Sequence, residues 1–454
     1  MPARSIRSVY FTKLVLENIR SFSGSQELIL NDGEGRPAQW TLIVGDNGVG
    51  KTTLLQCIAR MRPVVNEFSN ETSGPTPNSV EPEFASEEDN DVLDAYTRSG
   101  PNTVAKLKAE LSYGVPLTGN REHCRDTIST ELFITRKDGR LADFKRAGTS
   151  PPNVEEPLVL AYGAGRHPNT SGLNKAIATG LVESLFKVES ALSDAEDLLY
   201  RLEFGCLKHD QQAKRRLLSL KCMLVEMLPD VVHHQNIEIL GPPVSASTNE
   251  RKGIWVATDY GKVPLSRLSL GYQTVFAWTL DIAWQLLDRY PDSQDPLKEP
   301  AIVIVDEIDL HLHPRWQRAI REHLIKHFPN AQFIVTAHSP LMAQSSLGGN
   351  LAVLQKQQDH AEILNDPAII REWRLDQVIT SDLFGLESAR PPEVEKLFQR
   401  RSVLLEKRHL TTKEQQELED LDAQAGQLPT AESLAGNDAM AIIHRAAEVL
   451  KKTG

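Results

Sequence analysis

The sequence predicts an α/β fold with a mixed central sheet, an antiparallel N-terminal β subdomain, an inserted helical hairpin and a helical C-terminal tail. Three observations predict it. Trp40-Thr41-Leu42-Ile43-Val44, Ala301-Ile302-Val303-Ile304-Val305 and Phe333-Ile334-Val335-Thr336-Ala337 are short apolar runs, the pattern of parallel strands buried on both faces. The first run leads at once into Gly-Asp-Asn-Gly-Val-Gly-Lys-Thr, and Thr53 to Ala59 then continues as an apolar-faced helix. Strand, glycine loop and helix in that order form one α/β unit. Phe11 to Leu16 and Gln26 to Leu30 read as an antiparallel pair ahead of it.

The remaining elements follow in chain order. Residues 65–100 are rich in Ser, Pro, Asn, Asp and Glu, and read as a mobile insertion. Strand character returns at Lys106 to Tyr113, Glu131 to Arg136 and Leu158 to Tyr162. Leu181, Leu185, Val188, Leu192, Ala195, Leu199 and Leu202 then alternate spacings of four and three, and the pattern resumes at Ala213, Leu217, Leu220, Leu224 and Met227. Two such seams joined near His209 predict an antiparallel helical hairpin or two helices packed on the core, with Pro229 ending the second. Residues 236–263 return to strands and turns, a helix runs from Ser269 to about Leu287, and Pro314 suits the first turn of a helix reaching about His327. Leu351 to Leu354 reads as one more strand. The tail is helical and charged, and Thr411-Thr412-Lys413-Glu414 reads as a capping box.

Composition narrows the function classes. At 454 residues the chain is long enough for a large core and more than one domain. No apolar run approaches membrane-spanning length, and the N-terminal residues lack the apolar core of a signal peptide. Cys57, Cys124, Cys206 and Cys222 are scattered without a C-x-x-C pair, which argues for neither a zinc site nor a disulfide framework and fits a reducing cytoplasm. The formal net charge of −11 argues against a generally basic nucleic-acid-binding surface, while leaving a local basic groove open.

The chemistry is carried by four segments. The octapeptide at residues 45–52 fits the phosphate-binding pattern G-x-x-x-x-G-K-[ST]. Glycines let successive backbone N–H groups turn inward on a phosphate, and the following helix adds its positive dipole end. Gly45, Asn47, Gly48, Gly50, Lys51, Thr52 and Thr53 are the candidate ATP-binding residues. Lys51 would meet the β- and γ-phosphates, and Thr52 would be a hydroxyl ligand of Mg2+. Second, the apolar run Ala301 to Val305 ends in Asp306-Glu307. Carboxylates there sit at the ligand-binding end of a parallel sheet, with Asp306 placed to hold the Mg2+ and Glu307 to polarise the attacking water. Third, Leu268-Ser269-Leu270-Gly271-Tyr272-Gln273 opens a helix and makes either another anion site or an ordinary N-cap. Fourth, Thr336-Ala337-His338-Ser339-Pro340 puts an imidazole at the end of a buried strand, within reach of a γ-phosphate.

This order of segments resembles the ABC-type ATPase superfamily, in particular its soluble branch of RecF, the SMC-like repair ATPases and the OLD nucleases. Glu17-Asn18-Ile19-Arg20-Ser21-Phe22 is similar to that branch's N-terminal strand motif. Asp306-Glu307-Ile308-Asp309-Leu310-His311-Leu312-His313-Pro314 resembles its defence ATPases. The chain's size and Ser381-Asp382-Leu383-Phe384-Gly385-Leu386 are similar to the PtuA-type ATPases of Septu and retron anti-phage systems. The resemblance divides the chain into 1–165 (N-terminal half of the ATPase domain, with P-loop and β subdomain), 166–235 (helical insert), 236–389 (C-terminal half) and 390–454 (tail). Two departures stand out. No glutamine occupies the strand end at Ala161-Tyr162-Gly163-Ala164-Gly165-Arg166, where transporter-type members carry one, which leaves a different role for Arg166. His313 falls near where the transporter branch has an Asp. His311 and His313 recur in the defence-ATPase pattern and are not read as metal ligands.

The resemblance implies a sandwich of two nucleotide-binding domains, the P-loop of one facing the segment Ser269, Gly271 and Gln273 of the other. It therefore implies at least a homodimer bridged by ATP, with Arg20 near the nucleotide. No nuclease signature follows His338, so a separate effector nuclease, HNH-type by resemblance, is the implied partner, and nucleic acid is left open as a ligand. Alternatives are a RecF/SMC-like DNA repair clamp and an ATP-dependent oligomeric scaffold with little turnover.

Overall fold

A computed structural model describes residues 7–65, 80–83, 95–98, 103–115, 126–151, 154–167, 181–187, 190–192, 195–226, 237–240, 253–258, 261–346, 349–365, 391–405 and 410–426, with isolated residues between. Most of the 65–100 insertion and all of Ser381 to Leu386 lie outside the described residues. The chain divides into two compact units, residues 1–378 and 379–454.

The first unit is built on an 11-stranded sheet. Across it the strands run Arg140–Thr149, Thr127–Lys137, Val104–Tyr113, Val9–Ile19, Phe22–Ile29, His360–Asn365, Asn350–Gln357, Trp40–Gly45, Ala331–Ala337, Ala301–Val305 and Val159–Tyr162. The last five are mutually parallel, and the apolar runs at Trp40, Ala301 and Ala331 are buried along their whole length, as unbroken hydrophobic strands require. The N-terminal strands pair antiparallel in a meander, with Val9–Ile19 between Phe22–Ile29 and Val104–Tyr113. Arg140–Thr149 carries no buried apolar stripe, and its pairing follows an Asp138-Gly139 turn with both residues at positive φ. Hydrophobic patterning did not mark this strand, nor the short strand His360–Asn365.

Gln332, fully buried on a parallel strand, ties the two halves of the sheet together. Its Oε1 accepts from Phe11 N at 2.9 Å, and its Nε2 donates to Phe11 O at 2.8 Å and Ala38 O at 3.2 Å. Gln332→Leu keeps the volume but strands these backbone groups in a dry interior, so it is expected to cost about 2–4 kcal/mol. Urea unfolding of wild type and variant reads the difference directly, and equal midpoints would contradict the assignment.

The insert contains an antiparallel pair of helices, Ala195–Leu207 and Gln211–Glu226. The turn between them is set by His209 at φ 65° and by Asp210 Oδ1, which accepts from the N–H groups of Gln212 and Ala213 at 2.8 and 3.2 Å. The first helix begins later than the apolar spacing predicts. Glu183–Leu185 is only a 3-10 turn, because this segment is drawn onto the sheet edge: Ala161 N donates to Leu181 O at 2.9 Å and Gln56 Nε2 to Leu185 O at 3.0 Å. Tertiary hydrogen bonds override a helical periodicity there. Ile237–Leu240, Gly253–Thr258 and Gly261–Pro264 form a three-stranded antiparallel sheet.

The second unit contains the helices Pro392–Leu405 and Thr412–Gly426. They are joined by a forked Arg400–Glu417 pair at 2.7 and 2.9 Å and an Arg401–Asp422 pair at 2.5 Å, and Leu404 is fully buried. The capping box forms as expected: Thr411 N donates to Glu414 Oε2 at 2.9 Å and Glu414 N to Thr411 Oγ1 at 3.4 Å. Among the described residues, no helix is long and apolar enough to cross a membrane.

Candidate active site

The strand Trp40–Gly45 delivers the glycine loop to the C-terminal end of the parallel strands. Gly48 and Gly50 take φ of 77° and 107°, left-handed values that disfavour side chains, and Gly50 caps the helix Lys51–Arg60. Space forbids a side chain at Gly50 as well: a Cβ there would stand 2.5 Å from Ser21 Oγ and 3.1 Å from the Phe22 ring. Asp46, Asn47, Gly48 and Thr52 are exposed, whereas Lys51 and Thr53 are buried. Lys51 Nζ turns back to donate to Gly45 O at 2.7 Å and Asp46 O at 2.8 Å. Burial lowers its pKa below the ordinary lysine value, with Asp306 and Glu307 opposing that shift.

Parallel register aligns Val305 with Val335 on one side and Tyr162 on the other, so Asp306 and Glu307 emerge beside the loop. Asp306 is 3% exposed. Its Oδ2 accepts from Thr52 Oγ1 at 2.7 Å and its Oδ1 from Thr336 Oγ1 at 2.5 Å. The Thr336 hydroxyl in turn accepts from Glu307 N at 2.8 Å, holding Glu307 at a φ of 45° that few side-chain-bearing residues adopt. His338 lies between the cation and the acid. Its Nδ1 is 3.5 Å from Lys51 Nζ and its Nε2 3.8 Å from Glu307 Oε1. Asp309 Oδ2 fixes the backbone under that imidazole, accepting from His338 N at 3.0 Å and Ser339 N at 2.7 Å. Lys51, Thr52, Asp306, Glu307 and His338, separately read from the sequence, thus form one continuous cluster.

Thr336, Asp309 and Arg166 join this cluster without having been assigned a role from sequence. Arg166 is 5% exposed and braces the acidic strand end from behind. Its guanidinium donates to Gly163 O at 2.9 Å, Asp306 O at 2.6 Å and Glu307 O at 3.0 Å. Burial pulls its pKa down to about 10, against the pull of Asp306, Glu307 and Asp309, so it stays charged at neutral pH. The departure from glutamine at this strand end was the available signal. Arg20 sits beside the helix after the loop, donating to Thr53 Oγ1 at 3.2 Å and Gln56 Oε1 at 3.3 Å, with its guanidinium over the Tyr96 ring at 4.1 Å.

Ser269, Gly271 and Gln273 open the helix Leu270–Arg289, and among the described residues none of them hydrogen-bonds to the glycine loop of the same chain. Ser269 stands at the N-cap position without a side-chain capping bond. Gly271 packs so tightly that an added Cβ would lie 2.2 Å from His311 O. Gln273 Nε2 donates to Ser266 O at 3.0 Å and Leu268 O at 2.6 Å, shaping the turn before the helix. Leu270 is 54% exposed, and Ser269, Gly271, Tyr272, His311 and Trp316 line a shallow cleft.

Fold and site together define an ABC-type P-loop ATPase. The family model described as "AAA domain" matches residues 13–150, and that described as "AAA domain, putative AbiEii toxin, Type IV TA system" matches residues 186–343. The chain is 36% identical over 440 residues to the "Retron Ec83 probable ATPase" of Escherichia coli, covering 83% of this chain and 76% of that one. It therefore belongs to the family of ATPases that includes this retron protein. It is also 24% identical over 364 residues to the "Retron Vc95 probable ATPase" of Vibrio cholerae serotype O1 biovar El Tor, covering 70% of this chain and 69% of that one. Against the Septu protein PtuA of Bacillus mycoides it is 25% identical over 416 residues, covering 91% of this chain but only 50% of the relative.

Proposed function

We propose that the chain binds and hydrolyses ATP with Mg2+ at composite sites between two copies, and thereby controls a separate effector nuclease in cytoplasmic anti-phage defence. The observation that carries the reading is the continuous cluster from Lys51 through His338 to Glu307, with Thr52 and Asp306 joined at 2.7 Å beside it. In this reading the loop amides, including those of Gly45, Asn47, Gly48 and Gly50, cradle the phosphates, and Lys51 leaves its backbone acceptors for the β- and γ-phosphate oxygens. Thr52 and Asp306 offer two oxygen donors at one point, a set that fits Mg2+, which would neutralise phosphate charge. Glu307 accepts a proton from the attacking water, and His338 contacts the γ-phosphate from its place beside Lys51. Thr53 and Arg20 support the start of the helix. Ser269, Gly271 and Gln273, whose segment faces outward with Leu270, complete the site of a second copy.

Relatives named as retron probable ATPases and as a Septu protein support the defence setting. Lys51→Ala is expected to weaken ATP binding by more than ~10-fold, since one charge-assisted phosphate contact contributes about 1.5–3 kcal/mol. Calorimetric titration with a non-hydrolysable ATP analogue measures it. Unchanged binding and turnover would overturn the core of the reading.

A further inference from the structure

Glu226 closes the second helix of the inserted hairpin, and His323 and His327 stand one turn apart on the helix Pro314–His327. Residues at i and i+4 share a helix face, so both imidazoles meet Glu226 across the seam between the helices. His327 Nε2 lies 2.9 Å and His323 Nδ1 3.9 Å from the same oxygen, Glu226 Oε2. One ligand atom from each residue lies within 4.8 Å of the others. Around Zn2+ with bonds of ~2.1 Å, tetrahedral ligand atoms stand roughly 3.4 Å apart. The two measured distances bracket that spacing, and each needs a shift of only about half an ångström to reach it.

We propose that Glu226, His323 and His327 bind a divalent transition-metal ion of the Zn2+ class, which pins the inserted hairpin to the helix Pro314–His327. Two imidazole nitrogens and one carboxylate oxygen suit Zn2+ and its neighbours rather than Mg2+, so the site is chemically distinct from the Thr52–Asp306 pair. His323 is 8% exposed, with its ring centroid 4.6 Å from that of His327. Among the described residues, His323 Nε2 is buried without a hydrogen-bond partner, and Trp316 packs edge-on against that ring at 5.8 Å. Lys326 Nζ holds the second oxygen of Glu226 at 2.6 Å, orienting the carboxylate as an outer partner does, while its charge keeps affinity below that of a closed four-ligand site. Trp316 also meets Tyr272 edge-on at 6.5 Å, next to Gly271. An ion at this seam therefore stiffens the route from the insert to the Ser269–Gln273 segment.

The test uses the full chain stripped with a chelator and kept in excess Mg2+ without nucleotide. Zn2+ is titrated calorimetrically, and Co2+ is followed by its visible absorption. One site per chain is expected, weakened more than ~100-fold in both His327→Ala and Glu226→Gln, beyond the 10–100-fold that loss of an outer partner costs. Hydrogen exchange in residues 211–226 should slow with Zn2+ in wild type and not in either variant. Glu226 is solvent-accessible, so Glu226→Gln retains the fold. No saturable binding, or binding equal in wild type and both variants, overturns the proposal and leaves Glu226 paired with Lys326 and hydrogen-bonded to His327.

Discussion

Glu307→Gln is expected to lower ATP turnover by ~10²–10⁴-fold while ATP binding persists, and to trap an ATP-bound dimer or larger ring. The substitution preserves the size and the backbone of the residue. Thr336 Oγ1 still accepts from the residue-307 N–H, and Arg166 still donates to its carbonyl. The Thr52–Asp306 pair on the preceding position is untouched. The change removes the carboxylate charge facing His338 and with it the capacity to accept a proton from water, while the loop, Lys51 and the Thr52–Asp306 pair remain, so the loss falls chiefly on the chemical step. A site completed by a second copy then has no exit, because ATP continues to bridge the copies. Turnover and light-scattering mass, each measured with and without ATP, separate the parts of the argument. Turnover within about threefold of wild type would remove Glu307 from the role of base. A silent variant that stays monomeric with ATP bound would instead count against Ser269 and Gly271 as the element supplied by the partner.

The elements that were legible in the sequence are those whose constraints are local. Trp40–Gly45 and Ala301–Val305 are buried on both faces, so their apolar runs have no solvent-facing position to break them. The glycine loop is legible because Gly48 and Gly50 occupy left-handed backbone and Gly50 has no room for a Cβ. The capping box at Thr411 is complete within four residues. What was not legible depends on partners far along the chain. Leu181 and Leu185 have helical spacing, yet their carbonyls are used by Ala161 and Gln56. Arg140–Thr149 pairs along one edge of a meander without an apolar face to announce it. Thr336 reads as one more buried strand residue until its hydroxyl is seen between Asp306 and the Glu307 amide. His323 and His327 carry metal-ligand spacing, but their meaning depends on Glu226, about a hundred residues earlier.

Arg166 is the position where sequence left the role most open and where the second large effect is expected. Arg166→Met removes the donors of three hydrogen bonds to backbone carbonyls at 2.6–3.0 Å in a buried setting. Gly163 O keeps its bond from the residue-166 N–H and Glu307 O its bond from Leu310 N, so Asp306 O is the carbonyl left stranded, and a stability loss of about 1–3 kcal/mol is expected. The effect on catalysis is separate. The carbonyls of Asp306 and Glu307 are the anchors that aim both carboxylates, and a displacement near 1 Å in a reacting group costs ~10²-fold in rate. Turnover should therefore fall about 100-fold in protein that still binds ATP. Arg166→Lys keeps a buried charge beside Asp306, Glu307 and Asp309 but has no planar fork, so it should recover stability more than rate. A purely structural brace would lose and regain both together. The discriminating measurement is single-turnover ATP cleavage at saturating ATP, compared with the thermal midpoint of the same preparations. Arg166→Lys with wild-type turnover would reduce Arg166 to a buried counter-charge, because the forked grip on two successive carbonyls would then contribute nothing to aiming Glu307.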